Sequence, residues 1–114
     1  MNSDLARTAA IEELLDLPRS ERREALEVLV VNVFKPMLLM AEADVFPLDE
    51  SFFDLGFTSL LVNEAKVRLE ELLGQPISAN VLFNSPTAER LIEHLADDVL
   101  AEVFGEAGAG TAIA

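Results

Sequence analysis

The sequence predicts a small all-α bundle of three main helices and one short helix, with a long first loop and an extra helix near the N-terminus. Three observations support this fold class. The 114 residues suffice for one hydrophobic core but not for two. Apolar residues recur at intervals of three and four, as on the buried face of a helix, and no stretch alternates as a strand would. Proline and glycine stand between these segments, where helices end.

The first two helices are separated by Pro18. An amphipathic segment from about Ser3 to Leu15 forms the extra helix. We expect Ser20 to cap the second helix, and Pro36 to end or kink it near Lys35, because proline disrupts a helix interior. The residues expected to face inward are Leu5, Ala9, Ile11, Leu14 and Leu15 in the first segment and Leu26, Leu29, Val30, Val33, Phe34 and Met37 in the second.

A long connection, residues 38–58, leads to the third helix. Connections of this length tend to be functional or packed on themselves, and this one carries enough apolar residues to be pinned to a core. The third helix is predicted over Ser59 to Leu73, with Gly74 ending it. The inward residues are Phe46, Leu48, Phe52, Phe53, Leu55 and Phe57 in the connection, then Leu61, Val62, Ala65, Leu69, Leu72 and Leu73 in the helix.

The last part of the chain holds a short helix and a final long one. One and a half turns are predicted around Asn80 to Phe83. Ser85 as a cap and Pro86 at the first helical position are the expected start of the last helix. Its inward residues are Ala88, Leu91, Ile92, Leu95, Val99 and Phe104.

Composition divides the chain into three parts. Residues 1–19 are expected to be a linker with the extra helix, residues 20–104 the folded domain, and residues 105–114, which are small and glycine-rich, a flexible linker. We expect the domain to come from a larger protein because both ends resemble linkers.

The charge of the chain is strongly acidic and unevenly distributed. Eight basic and 21 acidic residues give a net charge of −13, of which residues 1–35 hold −2 and residues 36–114 hold −11. Such a surface repels nucleic-acid phosphates, so nucleic-acid binding is not expected. It either attracts proteins with basic docking patches or serves solubility alone.

The sequence also indicates a cytoplasmic protein. No apolar run approaches the roughly 18 residues of a membrane-spanning helix, and the N-terminus lacks the features of a signal peptide. The chain has no cysteine, so it forms neither disulfides nor thiolate metal sites.

The stretch "FFDLGFTSL", residues 52–60, places Ser59 at the start of the third helix. Its hydroxyl could cap the helix, act as a nucleophile or be a point of attachment. Either Thr58 or Ser59 suffices as a cap. A hydroxyl at a helix start also lies beside free backbone N–H groups and the positive end of the helix dipole, which favour a phosphate group there.

No catalytic residues and no metal ligands are predicted. A serine nucleophile needs a neighbouring base, and the only histidine, His94, lies on the last helix with the expectation of a surface or boundary position. "GFTSL" is not a nucleophile elbow, and the chain has no glycine-rich phosphate loop. The acidic residues of the long connection, Asp44, Asp49, Glu50 and Asp54, do not follow the spacing of a calcium-binding loop.

From about Leu17 to Leu95 the chain resembles acyl carrier proteins, especially the carrier domains of modular polyketide synthases. "LDESFFDLGFTSL" is similar to the approach to the family's attachment serine, which stands in a "DLG-x-D-S-L" setting. "LPRSERREAL" resembles the segment that precedes such domains. Further matches are Glu64, Arg68 and Leu69 in "NEAKVRLEELLGQPI", and Leu82, Phe83, Pro86 and Thr87 in "VLFNSPTAERLIEHL".

The resemblance implies that Ser59 bears a 4′-phosphopantetheine arm from coenzyme A, whose thiol holds acyl groups as thioesters. The capping role then falls to Thr58. The implied partners are a phosphopantetheinyl transferase and the ketosynthase, acyltransferase and other domains of a synthase for polyketide or antibiotic biosynthesis. The domain itself would be non-catalytic and monomeric. Two alternatives stay open: a peptidyl or aryl carrier of a nonribosomal peptide system, and a helical docking bundle that is never modified.

The chain departs from the family pattern at and beyond the attachment serine. Thr58 stands where the family usually has aspartate, which removes one negative charge and predicts a changed docking surface. Ala65 replaces a larger leucine, and Val67 a polar residue; Val67 is either an exposed contact or a boundary core residue. The residues predicted to dock partners are Thr58, Leu60, Glu64 and Val67.

Overall fold

The computed structural model describes residues 8–104, which fold into a bundle of α-helices without strands over that range. The predicted all-α fold class is confirmed: α2, α3 and α5 with its continuation are the main helices, α4 is the short one and α1 is the extra one. The elements are α1 (Ala9–Asp16), α2 (Arg19–Met37), α3 (Ser59–Leu73), α4 (Ala79–Asn84), α5 (Ala88–His94), a π-helical segment (Leu95–Val99) and α6 (Ala101–Phe104).

The N-terminal helix α1 begins at Ala9, directly after Thr8. Thr8 caps it, since the Thr8 hydroxyl accepts a hydrogen bond from the backbone N–H of Ile11 at 3.2 Å. Ile11 and Leu14 are buried, as predicted. The expected start at Ser3, and with it Leu5, lies outside the described residues.

Two predicted helix starts are wrong. The helix α2 begins at Arg19 directly after Pro18, so Ser20 lies inside the helix rather than at its cap. Pro18 occupies the cap position, with φ of −58° and ψ of 148°, and it has no side-chain oxygen that could cap the helix. The last helix begins at Ala88 with Thr87 as its cap, and Ser85 instead closes α4.

The reason for the later start of α5 is a tertiary contact. The carbonyl of Pro86 accepts a hydrogen bond from the N–H of Phe52 at 2.7 Å, and Thr87 forms a β-bridge with Ser51. This pairing accompanies an extended conformation at Thr87, with φ of −126° and ψ of 153°, so the helix begins only at Ala88.

The end of α2 lies two residues beyond the predicted one. Pro36 sits in the last turn and the helix ends at Met37, after which Leu39 adopts a left-handed conformation with φ of 59°. A proline there removes one intrahelical hydrogen bond only, and the helix tolerates that loss at its end.

A single hydrophobic core joins all the helices, including α1. Leu72 was predicted to face inward and is 41% exposed, because Leu69 and Leu73 occupy the inward face of α3. The fully buried side chains of highest volume are Phe34, Phe52, Ile11, Leu26, Leu69, Leu73, Leu82, Leu91, Ile92, Leu95, Leu100 and Val30.

Four phenylalanines pin the long connection to α2. The ring of Phe34 stacks on that of Phe52 with centroids 4.5 Å apart, while Phe57 meets both rings edge-on at 5.4 and 5.7 Å. Phe46 lies 6.0 Å from Phe34. The expectation that the connection packs on the core is therefore confirmed. Among the six residues of the connection that were predicted to face inward, Phe53 is the exception: it is 38% exposed.

Arg22 of α2 links the end of α1 to α6. Its guanidinium donates to the carbonyls of Leu15 and Leu17 at the end of α1, at 3.0 and 2.9 Å, and to the carbonyl of Val103 in α6 at 2.8 Å. These carbonyls lie at helix ends, where backbone acceptors lack intrahelical donors.

Glu70 fixes the turn after α3. Its Oε2 accepts hydrogen bonds from the N–H of Ile77 at 2.8 Å and from Nζ of Lys66 at 3.2 Å. The bond from Ile77, together with the nearby Lys66 ammonium, lowers the pKa of Glu70 below its ordinary value of 4.5.

Within residues 8–104 no helix has the length and hydropathy that crossing a bilayer requires.

The Glu70→Gln substitution should reduce stability in a pH-dependent way. Because folding lowers the pKa of Glu70, its carboxylate stabilises the fold above pH 4.5, and this contribution is lost as the pH falls through the folded pKa. Urea unfolding should therefore give a wild-type advantage over the variant at pH 7 that shrinks below pH 4.5. Glu24→Gln, which removes an exposed carboxylate of α2, controls for the change in net charge. An advantage that does not change with pH would contradict the assigned role.

Candidate functional site

Ser59 is the first residue of α3 and is exposed. The preceding Thr58 is extended, with φ of −91° and ψ of 167°, and its hydroxyl accepts a hydrogen bond from the N–H of Leu61 at 3.1 Å. The prediction that Thr58 caps the helix is confirmed. Among the described residues the hydroxyl of Ser59 has no hydrogen-bond partner, so it is free to react.

The turn before Thr58 fixes the position of this hydroxyl. Gly56 has φ of 112°, a conformation that residues with a Cβ rarely adopt, and its N–H donates to the carbonyl of Phe53 at 3.2 Å. The N–H of Phe57 donates to the carbonyl of Phe52 at 2.9 Å. Because Phe52 and Phe57 are both buried in the core, the turn between them has a fixed position. Ser59, two residues after Phe57, is therefore also fixed in position.

Three backbone contacts join the residues before Ser59 to the residues around the start of α5. Besides the bond from Phe52 to Pro86 and the bridge between Ser51 and Thr87, the N–H of Glu89 donates to the carbonyl of Leu48 at 2.9 Å. These contacts were not predicted from the sequence. The local signal for them is Pro86, which disfavours helical backbone at Ser85, the residue before it.

The start of α3 offers a favourable environment for an anion. Its first turn contains no acidic residue. The N–H of Leu61 is used by Thr58 and that of Val62 by the Thr58 carbonyl at 2.9 Å, which leaves the N–H groups of Ser59 and Leu60 at the helix end. Partial positive charge at that end stabilises a phosphate group.

The residues predicted to dock partners lie on one side of α3. Leu60, Glu64 and Val67 follow the helical spacing of four and three residues, which puts them on one face beginning next to Ser59. Leu60 is 75% exposed and Val67 is 40% exposed, so Val67 is an exposed apolar residue rather than a core one. Glu64 accepts a hydrogen bond from Arg68 at 2.9 Å.

His94 is not part of the site around Ser59. Its Nδ1 lies 3.1 Å from the Asp98 carboxylate, and its Nε2 is buried without a hydrogen-bond partner in the described part of the chain. The hollow beside it is lined by side chains of α4, α5 and the segment that follows, not by Ser59.

Asp44, one of the acidic residues of the long connection, accepts a hydrogen bond from Ala41. No metal-binding group of three His, Asp or Glu side chains occurs in residues 8–104.

Comparisons with known proteins give a consistent result. The family model described as "Phosphopantetheine attachment site" matches residues 30–95, more than half of the chain. The chain is similar to polyketide synthase GfsA of Streptomyces halstedii, 39% identical over 89 residues, and to the pikromycin polyketide synthase component PikAII of Streptomyces venezuelae, 34% identical over 104 residues. These alignments cover 78% and 90% of this chain but only 1% and 3% of those proteins.

Two further similarities bear on the kind of system. A linear gramicidin synthase protein of Brevibacillus parabrevis is 36% identical over 73 residues, 64% of this chain and 1% of that protein. Among solved structures, the "A1-type ACP domain from module 5 of MLSA1" superposes with a TM-score of 0.65 at 29% identity, covering 82% of this chain and 96% of that one.

Substitutions at Thr58 and Ser59 should show which of the two hydroxyls stabilises the helix. Thr58→Ala removes the cap and should lower the free energy of unfolding by about 1 kcal/mol. Ser59→Ala should leave it unchanged, because the Ser59 hydroxyl bonds nothing within the described structure. Urea unfolding at pH 7 measures both. Equal losses in the two variants would mean that both hydroxyls cap the helix.

Proposed function

The chain belongs to the phosphopantetheine-attachment family, and we propose that Ser59 is the residue that bears the 4′-phosphopantetheine arm. The domain is a carrier and not a catalyst. The observation that supports Ser59 is the separation of roles at the start of α3: Thr58 caps the helix, and the neighbouring hydroxyl is exposed and unbonded.

The residues at this position fit the cofactor. A phosphodiester to Ser59 would place an anion beside the N–H groups of Ser59 and Leu60, at the positive end of α3. When bound, the arm supplies a terminal thiol that this cysteine-free chain lacks, and on it acyl groups are carried as thioesters. The contribution of the chain itself is to present one hydroxyl, held by the turn at Gly56, to the enzyme that modifies it.

We propose a modular polyketide synthase as the system in which the carrier works. Support comes from the similarity to GfsA and PikAII and from the superposition on an acyl carrier domain. Tethering gives each partner domain a high effective concentration of the acyl group, so each docking contact can be weak. The partners would be a phosphopantetheinyl transferase, a ketosynthase, an acyltransferase and other synthase domains, with the carrier acting as a monomer in the cytoplasm.

The surface proposed to meet these partners consists of Thr58, Leu60, Glu64 and Val67. Leu60 and Val67 offer apolar contact and Glu64 a carboxylate, on a helix face that begins at the attachment residue. A partner with an apolar centre and a basic rim would complement this face.

We also propose that residues 20–104 hold the carrier fold and that residues 1–19 and 105–114 connect it to neighbouring domains. The helix α1 lies in the first of these segments and packs on the carrier through Ile11 and Leu14. It would therefore extend the folded unit toward the preceding domain.

A peptidyl carrier of a nonribosomal peptide system is the second candidate function. The similarity to the linear gramicidin synthase protein favours it. The "FFDLG" approach and the greater identity to GfsA favour the polyketide system. The two candidates share the attachment chemistry at Ser59 and differ in the groups that are carried.

Incubation with coenzyme A, magnesium and a broad-specificity phosphopantetheinyl transferase should raise the intact mass by one arm. Ser59→Ala should abolish the increase, since it removes the acceptor oxygen. Ser20→Ala, which removes an exposed serine from the first turn of α2, should be modified like the wild type. Modification that survives Ser59→Ala would place the arm elsewhere, and no modification with any transferase would favour the unmodified docking bundle.

Thr58→Asp should restore the charge that the family usually has beside the arm. Asp caps a helix as Thr does, so stability is kept while one carboxylate is added to the docking surface. The kcat/KM of modification by a transferase with a basic docking patch should rise up to about fivefold at low salt and less at high salt. Thr58→Asn keeps the cap without the charge and should resemble the wild type. An equal gain with Asn would show that charge is not the cause.

A further inference from the structure

An open apolar groove runs along the side of the bundle where α1, α2 and α3 meet. It consists of two neighbouring hollows of about 390 Å³ each, and Asn32 of α2 lines both of them. We call it the lateral groove and define it by Val28, Leu29 and Asn32 of α2, Leu72 of α3, and the acidic residues Glu13 and Glu71 at its sides.

The lateral groove exposes two large apolar side chains, one on α2 and one on α3. Val28 is 53% exposed and Leu72 is 41% exposed. On α2, Ala25, Val28, Leu29 and Asn32 follow the spacing of one helix face, beside the buried face that contains Leu26 and Val30. A helix that is apolar on a second, open face has room for another partner there.

This groove does not reach Ser59, although Arg68 in its lining pairs with Glu64 of the proposed docking face. Leu72 lies thirteen positions after Ser59 on the same helix, α3, which corresponds to about 20 Å along its axis. A partner in the lateral groove would therefore not contact the attachment residue.

The charged residues in and beside the lateral groove indicate which kind of partner would bind there. Glu13 and Glu71 line the groove, and Glu21 and Glu24 extend the Ala25–Val28 face by one turn toward the N-terminus of α2. Arg68, the basic residue in the described lining, is paired with Glu64 at 2.9 Å. With a net charge of −13, the chain repels a second copy of itself, nucleic acid and anionic lipid.

We propose that the lateral groove binds a basic amphipathic helix of a partner protein. The apolar side chains of that helix would enter the hollows beside Val28 and Leu72, and its lysines or arginines would face Glu13 and Glu71. The face from Ala25 to Asn32 spans about 10 Å, or two helical turns, which matches anchors spaced three, four and seven residues apart.

The test uses a synthetic Leu/Lys peptide of about 15 residues, with its leucines on one helical face. The protein is the Ser59→Ala variant in full length, so that the result does not depend on the attachment of the arm. Amide shifts in NMR titrations should change at α1, α2 and the C-terminal half of α3. A peptide of the same composition without an apolar face should bind more weakly and without localised shifts.

Val28→Glu distinguishes insertion into the groove from attraction by charge. If leucines enter the groove, the substitution should weaken binding about tenfold through lost apolar contact. If net charge alone attracts the peptide, the added carboxylate should tighten binding. Glu is a better helix former than Val, so α2 should remain folded. Val45→Glu, at a residue that is 86% exposed in the long connection, adds the same charge away from the groove and should not weaken binding.

Two results would overturn the proposal. One is binding that is dispersed over the acidic surface and undiminished by Val28→Glu. The other is concentration-dependent self-association without peptide that Val28→Glu abolishes, which would make a second copy the occupant. Neither result bears on Ser59, whose modification is measured separately by mass.

Discussion

The stacking of Phe34 on Phe52 is the contact on which the arrangement of this domain depends. It joins the middle of α2 to the end of a connection of about twenty residues that has little secondary structure of its own. A connection of that length loses much conformational entropy when it is ordered, and buried aromatic rings offset this loss more effectively than isolated backbone hydrogen bonds. With Phe52 and Phe57 fixed, the turn at Gly56 has one conformation, and α3 starts at one place.

The start of α3 illustrates how adjacent hydroxyl residues acquire different roles. Thr58 is extended and turns its hydroxyl toward the N–H of Leu61, whereas Ser59 is already helical and projects outward. Only the first of two such residues can have the backbone conformation of a cap. The threonine therefore supports the helix and leaves the serine available, although the negative charge usual at this position in the family is absent.

We have proposed two different surfaces of the domain for contact with other proteins. The face that begins at Leu60 lies next to Ser59 and would be shared by every partner that acts on the tethered group. The lateral groove lies at the far end of α3 and does not involve that residue. A carrier with both surfaces could be held in place by one contact while the arm moves among partners by the other, which fits weak individual docking combined with tethering.

The all-α class and the bounds of α3, Ser59 to Leu73 followed by Gly74, could be predicted from the sequence because apolar spacing, capping residues and a glycine end are local signals. It also identified Ser59 as the candidate attachment residue through the surrounding motif. The start of α5, the exposure of Leu72 and the groove depend on how the elements pack together. A pattern of leucines marks a stripe on a helix, but neighbouring helices determine which part of the stripe is covered. Thr87 precedes the last helix in an extended conformation and pairs there with Ser51, which is distant in sequence.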